Sequence, residues 1–308
     1  MALNPSQAHR PVCYMHDLFG AHDPGPGHPE RPQRYAAVEA AVAGSGLPVR
    51  EAPTASREAL ERVHPPAYLD LLRSVAETGG GSLDPDTSLN GVSFEAAVHA
   101  SGAAVAAVEE VLGGRLRDAF CAGRPPGHHA EHARAMGFCL LNHAAVAAAH
   151  ARACGARRVA ILDWDAHHGN GTQAIFAADP DVLYVSVHQW PHYPGTGAAN
   201  ERGVGAGEGA TLNLPVPAGT GDAEYRDLFF GKALPAVVDH RPDLLIVSAG
   251  FDGHMADPLC SLALSAAAFG DMAAALGGLD AGRVYVLEGG YDLAALQESV
   301  GAVLAALR

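Results

Sequence analysis

ILDWDAHHGNGTQ, residues 161–173, is the stretch whose reading decides the fold. Residues 159–162 are an unbroken apolar run that leads directly into Asp163, Asp165, His167 and His168. A short run that is apolar at every position reads as a strand covered on both faces, as in a parallel sheet. Its end delivers carboxylates and imidazoles to the carboxyl edge of that sheet, where open α/β sheets bind their ligands. Asp165 and His167 alternate with Trp164 and Ala166, so in an extended segment both point to one side. A carboxylate oxygen and an imidazole nitrogen two residues apart are a natural first pair of ligands for a divalent metal such as zinc. A single aspartate here would be read as the cap of the following helix. Two Asp and two His between positions 163 and 168 point to a metal site instead.

Outward from this stretch the pattern repeats. Short β-rich runs at 12–15, 119–122, 159–163, 182–187, 211–216, 244–249 and 284–287 alternate with Ala-rich helical stretches. The helical stretches are 31–43, 66–77, 93–112, 140–154, 222–238, 265–276 and 293–307. Such alternation predicts an α/β fold, one domain over residues 1–308 with a central, mostly parallel sheet and helices on both faces. Several of the predicted strands end in chemically rich segments: Arg124-Pro125-Pro126-Gly127-His128-His129, Asp163-Trp164-Asp165, Ser186-Val187-His188, Gly250-Phe251-Asp252 and Glu288-Gly289-Gly290-Tyr291. Five such ends on one sheet edge predict a single active site. The glycine-rich run at 203–209 lacks the GxGxxG register and follows no strand directly, so it reads as a flexible surface loop rather than a nucleotide cradle.

Composition narrows the function. A formal charge of −14 argues against a nucleic-acid partner, which would need a basic surface, and is compatible with a cationic substrate. No run of eighteen apolar residues and no signal-peptide core at the N-terminus are present, so neither a membrane nor a secreted setting is expected. Cys13, Cys121, Cys139, Cys154 and Cys260 are odd in number and scattered, which reads as reduced thiols of a cytoplasmic protein.

A catalytic zinc takes three protein ligands and keeps one position open. Asp165 and His167 supply two, and the segment 248–258 offers Asp252, His254 or Asp257 as the third, a choice that residue chemistry leaves open. His128 and His129 beside a metal suggest acid–base catalysis near neutral pH. Tyr291, set after a double glycine at a strand end, could donate its phenol proton to a developing oxyanion.

Six ordered segments carry a family resemblance: RPPGHHA at 124–130, MGFCLLN at 136–142, DWDAHHGNGTQ at 163–173, YPGTG at 193–197, AGFDGHMADP at 249–258 and LEGGY at 287–291. Together with GHPERP at 27–32 they make the chain similar to class II-type histone deacetylases, and in particular to the bacterial histone deacetylase-like amidohydrolases related to acetylpolyamine amidohydrolases. The resemblance implies the arginase–deacetylase fold with a central eight-stranded sheet, one strand more than the seven runs above. It implies Asp257 as the third zinc ligand beside Asp165 and His167. It implies a structural potassium ion at Asp163, Asp165, His167, Ser186 and Val187, partly through main-chain oxygens. It pairs His128 with Asp163 and His129 with Asn170. A carboxylate partner favours imidazolium and a neutral amide does not, so His129 is expected to be the general base and His128 an electrostatic partner.

The same resemblance makes Phe138 and Tyr193 the walls of an acyl-lysine tunnel, with Gly137 beside them, Leu264 at the tunnel lip and Arg31 in an internal acetate channel. The implied activity is zinc-dependent hydrolysis of the acyl amide of acetyl-lysine-like side chains, or of an acetylated polyamine or other small acyl amine, by a bacterial enzyme that forms a homodimer or tetramer. An arginase-like binuclear site would need an aspartate where Gly169 stands, and a catalytically silent acyl-amine binder would not need Tyr291 and both histidines. The chain departs from the related FDAHRDDP pattern at Gly253, Met255 and Ala256, which alters the cleft neighbourhood. Cys139 and Cys260 lie near the expected site as quiet buried thiols.

Overall fold

The structure, a computed structural model, describes residues 10–308. Most of the N-terminal stretch read above as lacking a signal-peptide core, residues 1–9, lies outside the described residues. Strands run in chain order as β1 (Val12–Met15), β2 (Val49–Glu51), β3 (Gly80–Asp84), β4 (Thr87–Asn90), β5 (Asp118–Cys121), β6 (Val159–Asp163), β7 (Val182–Gln189), β8 (Thr211–Val216), β9 (Leu244–Ala249) and β10 (Gly282–Leu287). Eight of them form one sheet in the order β2-β1-β5-β10-β9-β6-β7-β8, parallel throughout. β3 and β4 pair apart from it as an antiparallel hairpin.

The α/β expectation holds, and the central strands show why. β6, β7 and β9 are buried at every position, the signature of strands covered on both faces. Helices Ser93–Leu112 and His143–Ala153 pack on β5, β6, β9 and β10, and helix Leu234–His240 packs on β6 and β7. The chain is a single α/β domain with an eight-stranded parallel sheet flanked by helices. Within the main sheet, the strand absent from the seven runs is β2. All three of its residues are exposed, so it carries no apolar pattern from which a strand could be read.

Sheet order explains how the site converges. β5, β10, β9, β6 and β7 are five consecutive strands, and they are the five whose carboxyl ends carry the chemically rich segments. The glycine run at 203–209 lies on the surface, and one side of it packs closely on the chain at Ala177. The N–H of Val204 donates to Ala177 O at 2.7 Å, and a Cβ on Gly207 would lie 2.5 Å from the same oxygen. The five cysteines are all free thiols. Among the described residues no helix is long and apolar enough to cross a membrane.

Candidate active site

β6 ends at Asp163, and the chain beyond it turns so that Asp165 and His167 both enter the cleft. Their placement depends on missing side chains nearby. A Cβ on Gly250 would lie 2.0 Å from Asp165 Oδ2, and one on Gly289 2.4 Å from Asp252 Oδ2. Asp165 accepts the N–H of His167 through Oδ1 (2.9 Å) and that of Gly289 through Oδ2 (2.8 Å). His167 Nδ1 lies 3.3 Å from Asp165 Oδ1 and 2.8 Å from Asp252 Oδ2. Donor atoms of Asp165, His167 and Asp252 fall within 4.8 Å of one another, a cluster able to hold a metal ion.

Asp252 thus joins the cluster from the set that residue chemistry had left open. Asp257, the ligand implied by resemblance, stands at its edge and is not one of those three. Its Oδ1 accepts the N–H of Leu259 (2.9 Å) and its Oδ2 that of Tyr291 (2.7 Å). His254 is turned to its own loop, with Nδ1 accepting from Ala256 N–H.

The tandem histidines arrive from β5. His128 Nδ1 lies 3.0 Å from Asp163 Oδ2, which also accepts the Tyr184 hydroxyl proton, and His129 Nδ1 lies 2.8 Å from Asn170 Oδ1. Both pairs expected from the sequence are in place. Burial opposes charge on His128, but Asp165 and Asp163 outweigh it and hold this imidazole well above its ordinary range. Burial, reinforced by His128 and His167, holds His129 well below it. His167 is raised to about 10, since Asp252 and Asp165 overcome its desolvation.

Five carboxylates are buried together here: Asp163, Asp165, Asp252, Asp257 and Glu288. Only the imidazoles of His128 and His167 are pushed toward positive charge among them. Burial and the Asp165 charge raise Asp252 to about 7, and burial raises Asp257. A buried excess of negative charge with oxygen and imidazole donors fits a divalent cation. Ser186 and Val187 lie behind the cluster. Asp163 pairs with Ser186 in the sheet, Ser186 Oγ is 2.8 Å from His188 Nδ1, and Val187 O accepts from the Tyr225 hydroxyl.

Above the cluster opens a cavity of about 190 Å³, lined by His129, Gly137, Phe138, His167, Tyr193 and Tyr291, with Asp86, His192 and Leu259. Phe138 meets Tyr291 edge-on at 5.7 Å, and Tyr193 meets His129 edge-on at 5.2 Å. Leu264 does not belong to this lining. It is fully buried, its N–H bonded to Gly253 O, and the leucine at the cavity is Leu259. Counting seven residues from Asp257 misplaces it, whereas the same spacing from Asp252, the aspartate of the metal cluster, ends at Leu259. Gly253 has its open side facing Leu264 and Leu262, while Met255 is 62% exposed.

Arg31 is likewise on the surface. The buried arginine behind Tyr291 is Arg34, on the first turn of helix Gln33–Ser45. Its Nε donates to Gly290 O (2.6 Å), its Nη2 to Glu288 O (2.5 Å), and its guanidinium lies 5.0 Å from the Tyr291 ring centroid. An i, i+4 pair with Glu30 was the signal available for it. Asp86, also unforeseen, sits in an Asp-Pro-Asp turn between β3 and β4, and its Oδ1 accepts the Gly137 N–H. Cys139 and Cys260 are poor thiolate formers. Burial holds Cys139 well above its ordinary value and raises Cys260 to about 12.

Solved structures with this architecture include the HD domain of HDA15, with a TM-score of 0.94 at 37% identity, covering 97% of this chain and 88% of that one. An acetylpolyamine aminohydrolase from Burkholderia pseudomallei superposes with a TM-score of 0.89 at 32% identity, covering 96% and 98%. Residues 28–307 match the histone deacetylase domain, and the chain belongs to that family. Among curated relatives, Histone deacetylase 15 of Arabidopsis thaliana is 42% identical over 91% of this chain and 52% of its own length. A histone deacetylase-like amidohydrolase of Pseudomonas aeruginosa is 41% identical over 86% of this chain and 73% of its own length. Family membership supports deacetylase chemistry.

Proposed function

We propose that the protein is a zinc-dependent amidohydrolase that removes the acyl group from acetyl-lysine-like side chains. The observation that carries this reading is the buried surplus of carboxylates around His167 at the floor of a narrow cavity walled by Phe138 and Tyr193. Asp165, His167 and Asp252, whose donor atoms cluster, would hold the ion, with Asp257 at their edge bonded to the N–H groups of Leu259 and Tyr291. When bound, a divalent ion there supplies Lewis acidity toward the amide carbonyl and toward water.

The side chains divide the rest of the work. His129, held neutral, takes the proton of the attacking water and can return it to the leaving amine. His128, held charged by Asp165 and Asp163, adds positive potential without moving a proton. Tyr291 donates its hydroxyl to the oxyanion, in a phenol form that burial secures. Gly137 and the two aromatic walls receive the methylene stem. Asp163, Asp165, His167, Ser186 and Val187 would hold a structural potassium ion behind the site. A binuclear arrangement is disfavoured by space: a Cβ at Gly169 would lie 2.3 Å from Asp163 Oδ2.

A second reading, deacetylation of acetylated polyamines or other small acyl amines, is favoured by the Asp86 carboxylate on the cavity wall, which suits a cationic chain. The relative named polyamine deacetylase HDAC10 from Homo sapiens is 38% identical over 88% of this chain and 43% of its own length. Turnover of a fluorogenic acetyl-lysine peptide, with and without chelator, tests the first reading. The ratio of kcat/KM for that peptide and an acetylated polyamine separates the two. Homo-oligomerisation, no nucleic-acid or membrane partner, and a cytoplasmic setting complete the proposal, with light scattering and cell fractionation as their checks.

A further inference from the structure

Glu30 is fully buried, and three side chains share its carboxylate. Arg34 Nη1 donates to Oε1 at 2.6 Å. Arg124 donates through Nε to Oε1 at 2.5 Å and through Nη2 to Oε2 at 2.7 Å. His22 Nε2 lies 3.0 Å from Oε2 and its Nδ1 2.7 Å from Ser93 Oγ. From this one carboxylate the two arginines diverge. Arg34 grips the carbonyls of Glu288 and Gly290, the residues that lead into Tyr291. Arg124 holds the carbonyls of Phe19 and His22 and begins the segment that runs through Gly127 to His128 and His129.

We propose that Glu30 is a positioning residue that sets the spacing between Tyr291 and the tandem histidines by holding Arg34 and Arg124 on one carboxylate. The proposal rests on the hydrolase reading above. Two guanidinium groups withdrawn from water repel one another strongly unless an anion lies between them. Glu30 supplies that anion, and its fork-to-fork pairing with Arg124 adds directional constraint. Displacement of Arg34 is passed on through short, fixed links. Gly289 N–H reaches Asp165 Oδ2, Tyr291 N–H reaches Asp257 Oδ2, and Glu288 Oε2 accepts the N–H groups of Gly127 and His128. The Tyr291 turn and the histidine segment are thus two walls of one frame, with Glu30 at their common root. Misplacement of a reacting group by about 1 Å can cost about 100-fold in rate.

The test compares Glu30→Gln, which keeps shape and removes charge, with Glu30→Asp, which keeps charge. Two readouts are taken: kinetics on a fluorogenic acetyl-lysine peptide, and amide hydrogen exchange across the whole protein. For Glu30→Gln the expected result is a fall in kcat of about tenfold or more with KM changed by less than about threefold, and partial recovery in Glu30→Asp. Exchange should quicken in segments 124–130 and 287–293 together while the hairpin at 80–90 is unchanged. Exchange is read whether or not the peptide is turned over, so an inactive unmodified protein sinks the hydrolase reading and leaves Glu30 still on trial. A folded Glu30→Gln protein in which either segment exchanges as before overturns the proposal, as does kcat within about twofold of the original. Should Glu30→Gln fail to fold, Arg34→Lys and Arg124→Lys carry the test. Each is expected to loosen the other's segment as well as its own, and loosening confined to its own segment overturns the coupling.

Discussion

The main-chain N–H of Tyr291 donates to Asp257 Oδ2 at 2.7 Å, so the residue whose phenol is assigned to the oxyanion is tied by one hydrogen bond to a carboxylate at the edge of the metal cluster. Tyr291→Phe leaves that bond and the Arg34 contact intact and deletes only the hydroxyl. Its kcat should fall by about 100- to 1,000-fold, the usual cost of one oxyanion donor, with the bound metal retained. Steady-state kinetics alongside elemental analysis checks both halves.

His128 and His129 lie with ring centroids 4.0 Å apart, yet their partners drive them in opposite directions. A base must be unprotonated, so activity that depends on His129 is lost as pH falls through its pKa, giving the acidic limb of the rate profile. That limb should disappear from the residual activity of His129→Ala and persist in His128→Ala. An unmoved acidic limb in His129→Ala would sink the assignment.

The carboxylate cluster predicts distinct metal phenotypes. Asp165→Asn and Asp252→Asn should lose the ion outright. Asp257→Asn should weaken retention by about 10- to 100-fold, as expected when a carboxylate that backs the ligands from beside the cluster is lost. Metal titration of each protein tells these apart, and chelation should abolish turnover in the unmodified enzyme.

Gly137 adopts φ +58°, and a Cβ there would lie 2.4 Å from His129 Cδ2. Gly137→Ala should therefore lower kcat by displacing His129, whereas Phe138→Ala should mainly raise KM, by about tenfold for the lost apolar wall. A kinetic comparison that found the two effects interchanged would refute this division.

Two histidines away from the cluster predict acid sensitivity of the fold. Burial lowers His64 and His143 to about 4 from an ordinary value of 6.5. The unfolded chain therefore binds more protons than the native one between those values. The stability they contribute is complete above pH 6.5 and is lost as pH falls toward 4. Each tenfold difference in proton affinity is worth about 1.4 kcal/mol. Urea midpoints measured from pH 7 to 4 should decline, and less steeply in His143→Gln.

Apolar runs announced β6, β7 and β9, and the spacing of Asp165 and His167 announced the cleft, because buried strands and their ends carry strong local signals. What escaped depends on distant contacts. β2 is exposed and patternless. Arg31 precedes helix Gln33–Ser45 and is exposed, whereas Arg34, three residues on, sits in its first turn and faces inward. Leu264 follows from measuring the lip position from Asp257; the same spacing from Asp252 ends at Leu259, and only contacts decide between the two aspartates. Asp252 joins the cluster because β9 and β6 are neighbours in the sheet, a fact of topology.

Asp86 Oδ1 receives the N–H of Gly137, and Thr87 Oγ1 that of Phe138, whose φ is +69°. Both acceptors belong to the small hairpin outside the main sheet. The bore that admits a substrate is therefore braced by a peripheral appendage, while the reactive floor is anchored in the interior. Drift in that appendage can retune which molecules enter while the carboxylates and His167 keep their places, so a change of selectivity reaches the chemistry only through Gly137 and the His129 ring packed against it.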